Sequence, residues 1–256
     1  VQRYFVPAEQ FAANTVTIKD DDAHHIVKVM RQKIDDEIIV SNGNGHTVLA
    51  KISHIEGKEV TATIQYELED KTEANVEVWV AQSLPKGDKC ETIVQKCTEL
   101  GADKIIPFQS VRTIVQYDQK KMHKRLERWR KIAKEAAEQA HRDVIPEVTE
   151  IYSWKQILSI ASEADLAMIC YEKEDAVGIK DALQRISLSA AVGESEKKKI
   201  LIIIGPEGGF TEEEASQAEM EGCTSIHLGK RILRTETAGM VALSCIYYET
   251  GEMGGK

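Results

Sequence analysis

Ile200-Leu201-Ile202-Ile203-Ile204-Gly205-Pro206-Glu207-Gly208-Gly209-Phe210-Thr211-Glu212-Glu213-Glu214 is the stretch on which the fold is decided. Five consecutive aliphatic residues leave no polar face, which suits a strand covered on both sides, as in a parallel sheet. The turn that follows holds three glycines and a proline, more than a plain strand-to-helix connection needs. Thr211 with Glu214 three residues on is a capping box, so a helix opens there. A buried strand, a glycine turn and a helix together make a unit of an α/β fold. Gly205, Gly208 and Gly209 permit close backbone approach to a ligand at the carboxyl edge of the sheet, where open α/β sheets bind theirs. The spacing is not Gly-x-Gly-x-x-Gly and no Walker lysine follows, which disfavours a dinucleotide site.

Outward from this stretch the same grammar holds. Strands are expected at Val76–Gln82, Lys104–Phe108, Leu166–Tyr171 and Thr224–Leu228. Helices are expected at Lys89–Leu100, Gln119–His141, Trp154–Ala161, Thr211–Glu221 and Glu236–Glu249, with another near Gly178–Ile186. Strands alternating with helices mean a mostly parallel sheet. Val192–Lys199 reads as an exposed loop. Before residue 70 the pattern differs: Gln2–Val6, Thr15–Ile18, Glu37–Ser41, Thr47–Ser53 and Val60–Tyr66 are strand-like, and Asn42-Gly43-Asn44-Gly45 is a hairpin loop. One helix, Asp20–Arg31, interrupts them, with Ile26, Val27, Val29 and Met30 able to dock on the sheet. A polar stretch at Glu67–Glu73 separates the two regions. The expected division is a small β domain over 1–70, a linker over 71–75 and an α/β domain over 76–256.

Two further segments carry chemistry. Leu228-Gly229-Lys230-Arg231-Ile232-Leu233-Arg234-Thr235-Glu236-Thr237-Ala238 again ends a strand and starts a helix. Ile232 and Leu233 are apolar inside a charged loop and are expected to cover something flat and apolar. Arg234 beside a helix N-terminus opposes the macrodipole, which points to an anionic or polar partner. Ser83-Leu84-Pro85-Lys86-Gly87-Asp88-Lys89 is either a helix start capped by Asp88 or a presentation of Lys86 and Lys89 to phosphates.

Composition bounds the rest. Net charge is −9 over 256 residues, unlike a protein that coats nucleic acid. Charge is nevertheless local: Lys120–Lys134 carries eight Lys or Arg against Glu127 alone, spread around the helix, which is either a solvated surface or a footprint for RNA phosphates. The five cysteines form no Cys-x-x-Cys pair and read as small buried residues of a reducing cytoplasm. No run of about 18 apolar residues occurs, so no membrane helix is expected. Val1-Gln2-Arg3-Tyr4-Phe5 lacks the layout of a signal peptide, and a cytoplasmic protein is expected. The seven histidines suggest no metal site.

On these residues the chain resembles the bacterial 16S ribosomal RNA (uracil-N3) methyltransferases of the knotted SPOUT class. The resemblance spans His24-His25-Ile26-Val27-Lys28-Val29-Met30-Arg31, Lys86-Gly87-Asp88-Lys89, Lys96 with Glu99-Leu100-Gly101, and Arg128-Trp129 through Glu138-Gln139 to Arg142. It continues through Gly205–Phe210 and Leu228-Gly229 with Ile232-Leu233-Arg234 and Glu236-Thr237-Ala238. It implies a PUA-like β-barrel followed by an α/β domain with a C-terminal trefoil knot, a homodimer, no metal, and S-adenosylmethionine as cofactor. Gly205, Pro206, Glu207, Gly208 and Gly209 would approach its methionine part and ribose. Leu228, Gly229, Ile232 and Leu233 would wrap its adenine, Tyr171-Glu172 would add a third wall, and Thr237 and Ala238 would also bind it. The implied substrate is uracil 1498 of the small-subunit decoding region.

Methylation of uracil N3 requires a proton to leave. Arg234 is the candidate for stabilising charge on the uracil carbonyls, and Glu207 or Glu236 for accepting the proton. Contacts with RNA are expected from Arg3, Lys28 and Arg31 in the first domain, and from Lys86, Lys89, Arg112, Lys124, Arg125, Arg128 and Arg142 in the second. The alternatives are a knotted enzyme acting on a transfer-RNA ribose 2′-oxygen, or a non-catalytic RNA-binding protein of ribosome assembly.

Overall fold

A computed structural model describes residues 1–68, 72–115, 118–186 and 197–254. The chain divides into two compact units, Val1–Glu73 with Ala137–Ile145, and Ala74–Ala136 with Pro146–Lys256.

In the first unit β1 (Gln2–Phe5), β2 (Thr15–Lys19), β3 (Glu37–Ser41), β4 (Thr47–Glu56) and β5 (Glu59–Glu67) form one sheet in the order β1-β3-β4-β5-β2. Only the β1–β3 pair is parallel. Alternate residues face a core of Tyr4, Ile18, Ile38, Val40, Ile52 and Val60. The helix expected over Asp20–Arg31 is shorter and changes pitch. It runs as α1 (Asp20–His24) into a π-turn at His25–Val29, where the Met30 N–H donates to the His25 carbonyl. Arg31 at φ 56° stops it. The extra residue in that turn breaks the i, i+3, i+4 register. Ile26 therefore reaches the core while Val29 and Met30 stay exposed, against the docking expected of them.

Ala137–Ile145 packs with this unit, although the sequence reading placed it in the α/β domain. Its ties are ionic. Arg3 Nη1 donates to Asp143 Oδ1 and to the Arg142 carbonyl, each at 2.6 Å. Asp143 also accepts from the Thr72 N–H and hydroxyl at 3.0 and 2.9 Å, and Arg142 pairs with Glu73. Arg3 and Arg142 are each 4% exposed, so neither is an RNA contact; both are consumed in buried pairs. Within the expected linker Thr72 and Glu73 are thus anchored, and residues 69–71 lie outside the described residues.

The second unit holds β6 (Val76–Ser83), α2 (Lys89–Glu99), β7 (Lys104–Gln109), α3 (Gln119–Gln139, its last turn counted with the first unit), β8 (Glu147–Val148) and β9 (Tyr152–Ser153). It continues with α4 (Trp154–Ala161), β10 (Leu166–Cys170), β11 (Val177–Gly178), α5 (Ile179–Leu183), β12 (Lys198–Ile204), α6 (Glu212–Met220), β13 (Thr224–His227) and α7 (Thr235–Glu249). The sheet order is β11-β13-β10-β12-β6-β7-β8, with β9 beside β7, and every pair is parallel. β12 is central, in register from Lys198 opposite Val76 to Ile204 opposite Gln82, and its five aliphatic residues are at most 2% exposed. Lys198 and Lys199 belong to this strand rather than to a loop, held by Asp165 at 3.2 and 2.8 Å; residues 192–196 of that expected loop lie outside the described residues. In α3 the residues Leu126, Trp129, Ala133 and Ala136 form a buried stripe at helical spacing, which the surrounding bases had masked. Among the described residues no helix is long and apolar enough to cross a membrane.

Candidate active site

A cavity of about 620 Å³ opens where β10, β12 and β13 end. Parallel strands point their carboxyl ends one way, so the loops after them converge on this edge. One wall is the turn after β12. Thr211 caps α6 by accepting from the Glu214 N–H at 3.1 Å, and Glu214 Oε2 returns to the Thr211 N–H at 2.9 Å, the expected capping box. Glu214 is buried and its other oxygen accepts from the Val111 N–H at 2.8 Å, which fixes the loop after β7 against the turn. A Cβ on Gly205 would lie 3.2 Å from Phe210 Cε2 and 3.3 Å from the Gly209 backbone, so the turn closes this tightly only with glycine there. Gly209 has φ 66°, the left-handed region.

The opposite wall is the loop after β13. Leu228, Gly229, Ile232, Leu233 and Arg234 all face the cavity, with Ile232 93% exposed and the Arg234 side chain 82% exposed. Thr235 links the two walls: its hydroxyl donates to the Gly205 carbonyl at 2.7 Å and accepts from Gln82 Nε2 at 2.8 Å. Tyr171 and Glu172, after β10, form the third wall.

Of the residues expected to hold a cofactor, Tyr171, Glu172, Gly205, Pro206, Glu207, Gly209, Leu228, Gly229, Ile232, Leu233 and Ala238 line this one cavity. Gly208 and Thr237 do not. The Gly208 carbonyl accepts from Arg112 Nη1 at 2.7 Å, and Thr237 donates its N–H to the Arg234 carbonyl as part of the α7 start. Lys89 and Arg112, expected at RNA, are instead on the cavity wall. Lys89 Nζ lies 2.8 Å from Glu207 Oε1 and 3.4 Å from Glu236 Oε2, although Glu236 is not itself part of the lining. Burial pushes the Glu207 carboxyl up, but the Lys89 ammonium and the Lys86 N–H more than offset it and hold it below its ordinary value. Glu207 is thereby anchored to the loop that carries Lys86 and Lys89.

Arg125 is taken by Asp88 at 2.7 Å and Arg128 is bidentate to Glu91 at 2.6 and 2.7 Å. Asp88 sits at the N-cap of α2 without a side-chain capping bond, so of the two readings of that loop neither holds whole. Lys28, Arg31, Lys86 and Lys124 are exposed. Sequence reasoning missed Thr235, Gln82, Phe210 and Arg231 as parts of the site. Thr235 carried a signal, a hydroxyl at a helix start; Gln82 carried none. Cys170 also lines the cavity, with its thiol pushed up to about 12 by burial. Among the described residues no group of three His, Cys, Asp or Glu is arranged to hold a metal.

Comparison with known proteins agrees with this architecture. A family model for the RNA methyltransferase domain matches residues 72–247, and one for the RNA methyltransferase PUA domain matches residues 18–65. The chain is 39% identical over 258 residues to ribosomal RNA small subunit methyltransferase E of Bacillus subtilis, covering 100% of this chain and 99% of that protein. It is 34% identical to the enzyme of the same name from Synechocystis, covering 95% of this chain and 76% of that one. The solved structure of ribosomal RNA small subunit methyltransferase E from Neisseria gonorrhoeae, bound to S-adenosyl methionine, superposes with a TM-score of 0.83 at 30% identity over 96% of this chain and 97% of that one. With a PUA domain, a parallel α/β sheet and a loop-built cavity at its carboxyl edge, the chain belongs to the RNA methyltransferase family of these small-subunit enzymes.

Proposed function

We propose that the protein methylates N3 of a uridine in 16S ribosomal RNA, uracil 1498 of the decoding region, using S-adenosylmethionine held in the cavity after β10, β12 and β13. The observation that carries the reading is the convergence of the Gly205–Gly209 turn, the Leu228–Arg234 loop and Tyr171-Glu172 on one cavity. Its volume suits a ligand of that size. Its chemistry suits the group as well. Backbone at Gly209, where an added Cβ would meet nothing within 4 Å, is open to close approach, Leu228 and Leu233 offer apolar surface, and Glu172 and Glu207 are acids for a cofactor that carries positive charge.

When bound, S-adenosylmethionine supplies an electrophilic methyl group on a sulfonium. The chain's own residues must position the base and manage one proton, because N3 of uracil is protonated and its anion is the better nucleophile. Arg234, exposed at the cavity mouth, is suited to stabilising negative charge on the uracil carbonyls. Lys89 engages both carboxylates, Glu207 at 2.8 Å and Glu236 at 3.4 Å, and the Lys86 N–H adds a second donor to Glu207, so either is a candidate proton acceptor and Glu236 is the less tightly held. Lys28, Arg31, Lys86 and Lys124, all exposed, are the RNA contacts this reading retains. A homodimer and a C-terminal trefoil knot belong to the same reading; the order β13-β10-β12 makes neighbours of strands far apart in sequence, which is in keeping with a knot.

The test is methyl transfer from labelled S-adenosylmethionine to small ribosomal subunits from cells lacking the enzyme, with the product nucleoside identified by mass spectrometry. N3-methyluridine is expected. A 2′-O-methylated nucleoside, or cofactor binding without transfer to any RNA of the subunit, would contradict the proposal.

A further inference from the structure

Lys89 opens α2, where its ammonium meets the partial positive charge of the helix N-terminus, an unfavourable place for a cation. Two carboxylates offset that, and they come from different segments. Glu207 belongs to the turn after β12, with Oε1 at 2.8 Å from Nζ, and Glu236 to the first turn of α7, with Oε2 at 3.4 Å. Glu207 Oε1 also accepts from the Lys86 N–H at 3.1 Å, so both ends of the 86–89 loop bear on one carboxylate. Glu236 Oε2 is buried and has no well-formed hydrogen bond, which leaves the Lys89 ammonium as the charge it faces. One point charge with three donors can serve both acceptors at once.

We propose that Lys89 is a positioning residue for the cofactor: acting through Glu207 and Glu236, it ties the start of α2, the glycine turn and the start of α7 into the geometry that binds S-adenosylmethionine. This rests on the reading that the cofactor occupies the cavity. Without Lys89 the two carboxylates lose their shared counter-ion, and the turn that carries Gly205 and Gly209 loses its tie to α2. Lys89 is then not a contact for RNA phosphate, because its ammonium is already committed. The groups facing Glu207 are Lys89, the Lys86 N–H and Glu236, with Arg234 beyond Glu236 at 3.9 Å and Arg112 on the neighbouring Gly208 carbonyl. Removing Lys89 takes away the main group holding the Glu207 carboxyl low, so cofactor affinity should begin to fall at a higher pH as acid is added.

The experiment titrates S-adenosylmethionine calorimetrically into the full chain and into Lys89→Met, Lys89→Arg, Glu207→Gln and the double variant Lys89→Met with Glu207→Gln, from pH 4 to 8. In parallel it measures binding of small-subunit RNA across a salt series, with Lys124→Glu as comparison. Lys89→Met and Glu207→Gln should each weaken cofactor binding roughly tenfold, a size usual for hydrogen bonds to charged groups. The double variant should be no worse than the singles by more than about threefold, because both remove the same tie. Lys89→Arg should recover most of the affinity and the original acid limb. The salt slope of Lys89→Met should match the unaltered protein, while that of Lys124→Glu falls by about one. Unchanged cofactor affinity in Lys89→Met, multiplied losses in the double variant, or a salt slope lowered by about one on losing Lys89 would each overturn the inference. If Lys89→Met does not fold, ordinary cofactor affinity in Glu207→Gln overturns it equally. An unaltered protein that binds no S-adenosylmethionine would instead refute the cofactor reading beneath it.

Discussion

Arg3 illustrates how a charge changes meaning once its partner is known. Its guanidinium lies 2.6 Å from Asp143, with both side chains nearly buried, and an uncompensated charge in such a place is costly. Arg3→Ala should therefore destabilise the protein by about 2–3 kcal/mol in urea unfolding, with RNA affinity unchanged. Burial pushes the Asp143 carboxyl up, but the Thr72 N–H and Arg3 outweigh it and hold it below its ordinary value of 3.8. A carboxyl lowered on folding contributes stability that is present above its ordinary value and is lost as pH falls through the folded value. The stability gap between Arg3→Ala and the unaltered protein should accordingly be widest at neutral pH and narrow in acid. An unchanged unfolding midpoint with weakened RNA binding would return Arg3 to the RNA surface.

Between elements, the glycine turn offers a contrast within one motif. A Cβ on Gly205 would press at 3.2–3.3 Å on Phe210 and on the Gly209 backbone, so one of them must shift, whereas a Cβ on Gly208 would meet only the Arg112 side chain at an ordinary 3.5 Å. Gly205→Ala is expected to lower cofactor affinity at least tenfold and Gly208→Ala by less than about threefold, as read by titration; equal losses would mean that the turn is not set by packing. The sequence made this turn legible because strand, glycines and capping box are all local signals. The same holds for β12, α4 and α6. β8, β9 and β11 were not legible, since two residues show no period. Nor was the π-turn after α1, which depends on how Ile26 meets the sheet. The partners of Lys89 lie 118 residues away and beyond, and Asp143 lies 140 residues from Arg3, separations at which no pattern in the chain reports a contact.

For the whole molecule, family membership rests on a match over the full length. A domain of the RNA methyltransferase PUA kind and a catalytic α/β unit suit an enzyme that recognises structured RNA apart from the base it modifies. A methyl group on uracil N3 removes the donor used in base pairing, so reverse transcriptase halts beside it. The most direct test is therefore primer extension through the decoding region of small-subunit RNA from cells lacking the enzyme, before and after incubation with the protein and S-adenosylmethionine. A new stop adjacent to uracil 1498, absent when cofactor is withheld, is the predicted result. Uninterrupted extension through that position, with methyl groups incorporated elsewhere in the RNA, would contradict the account.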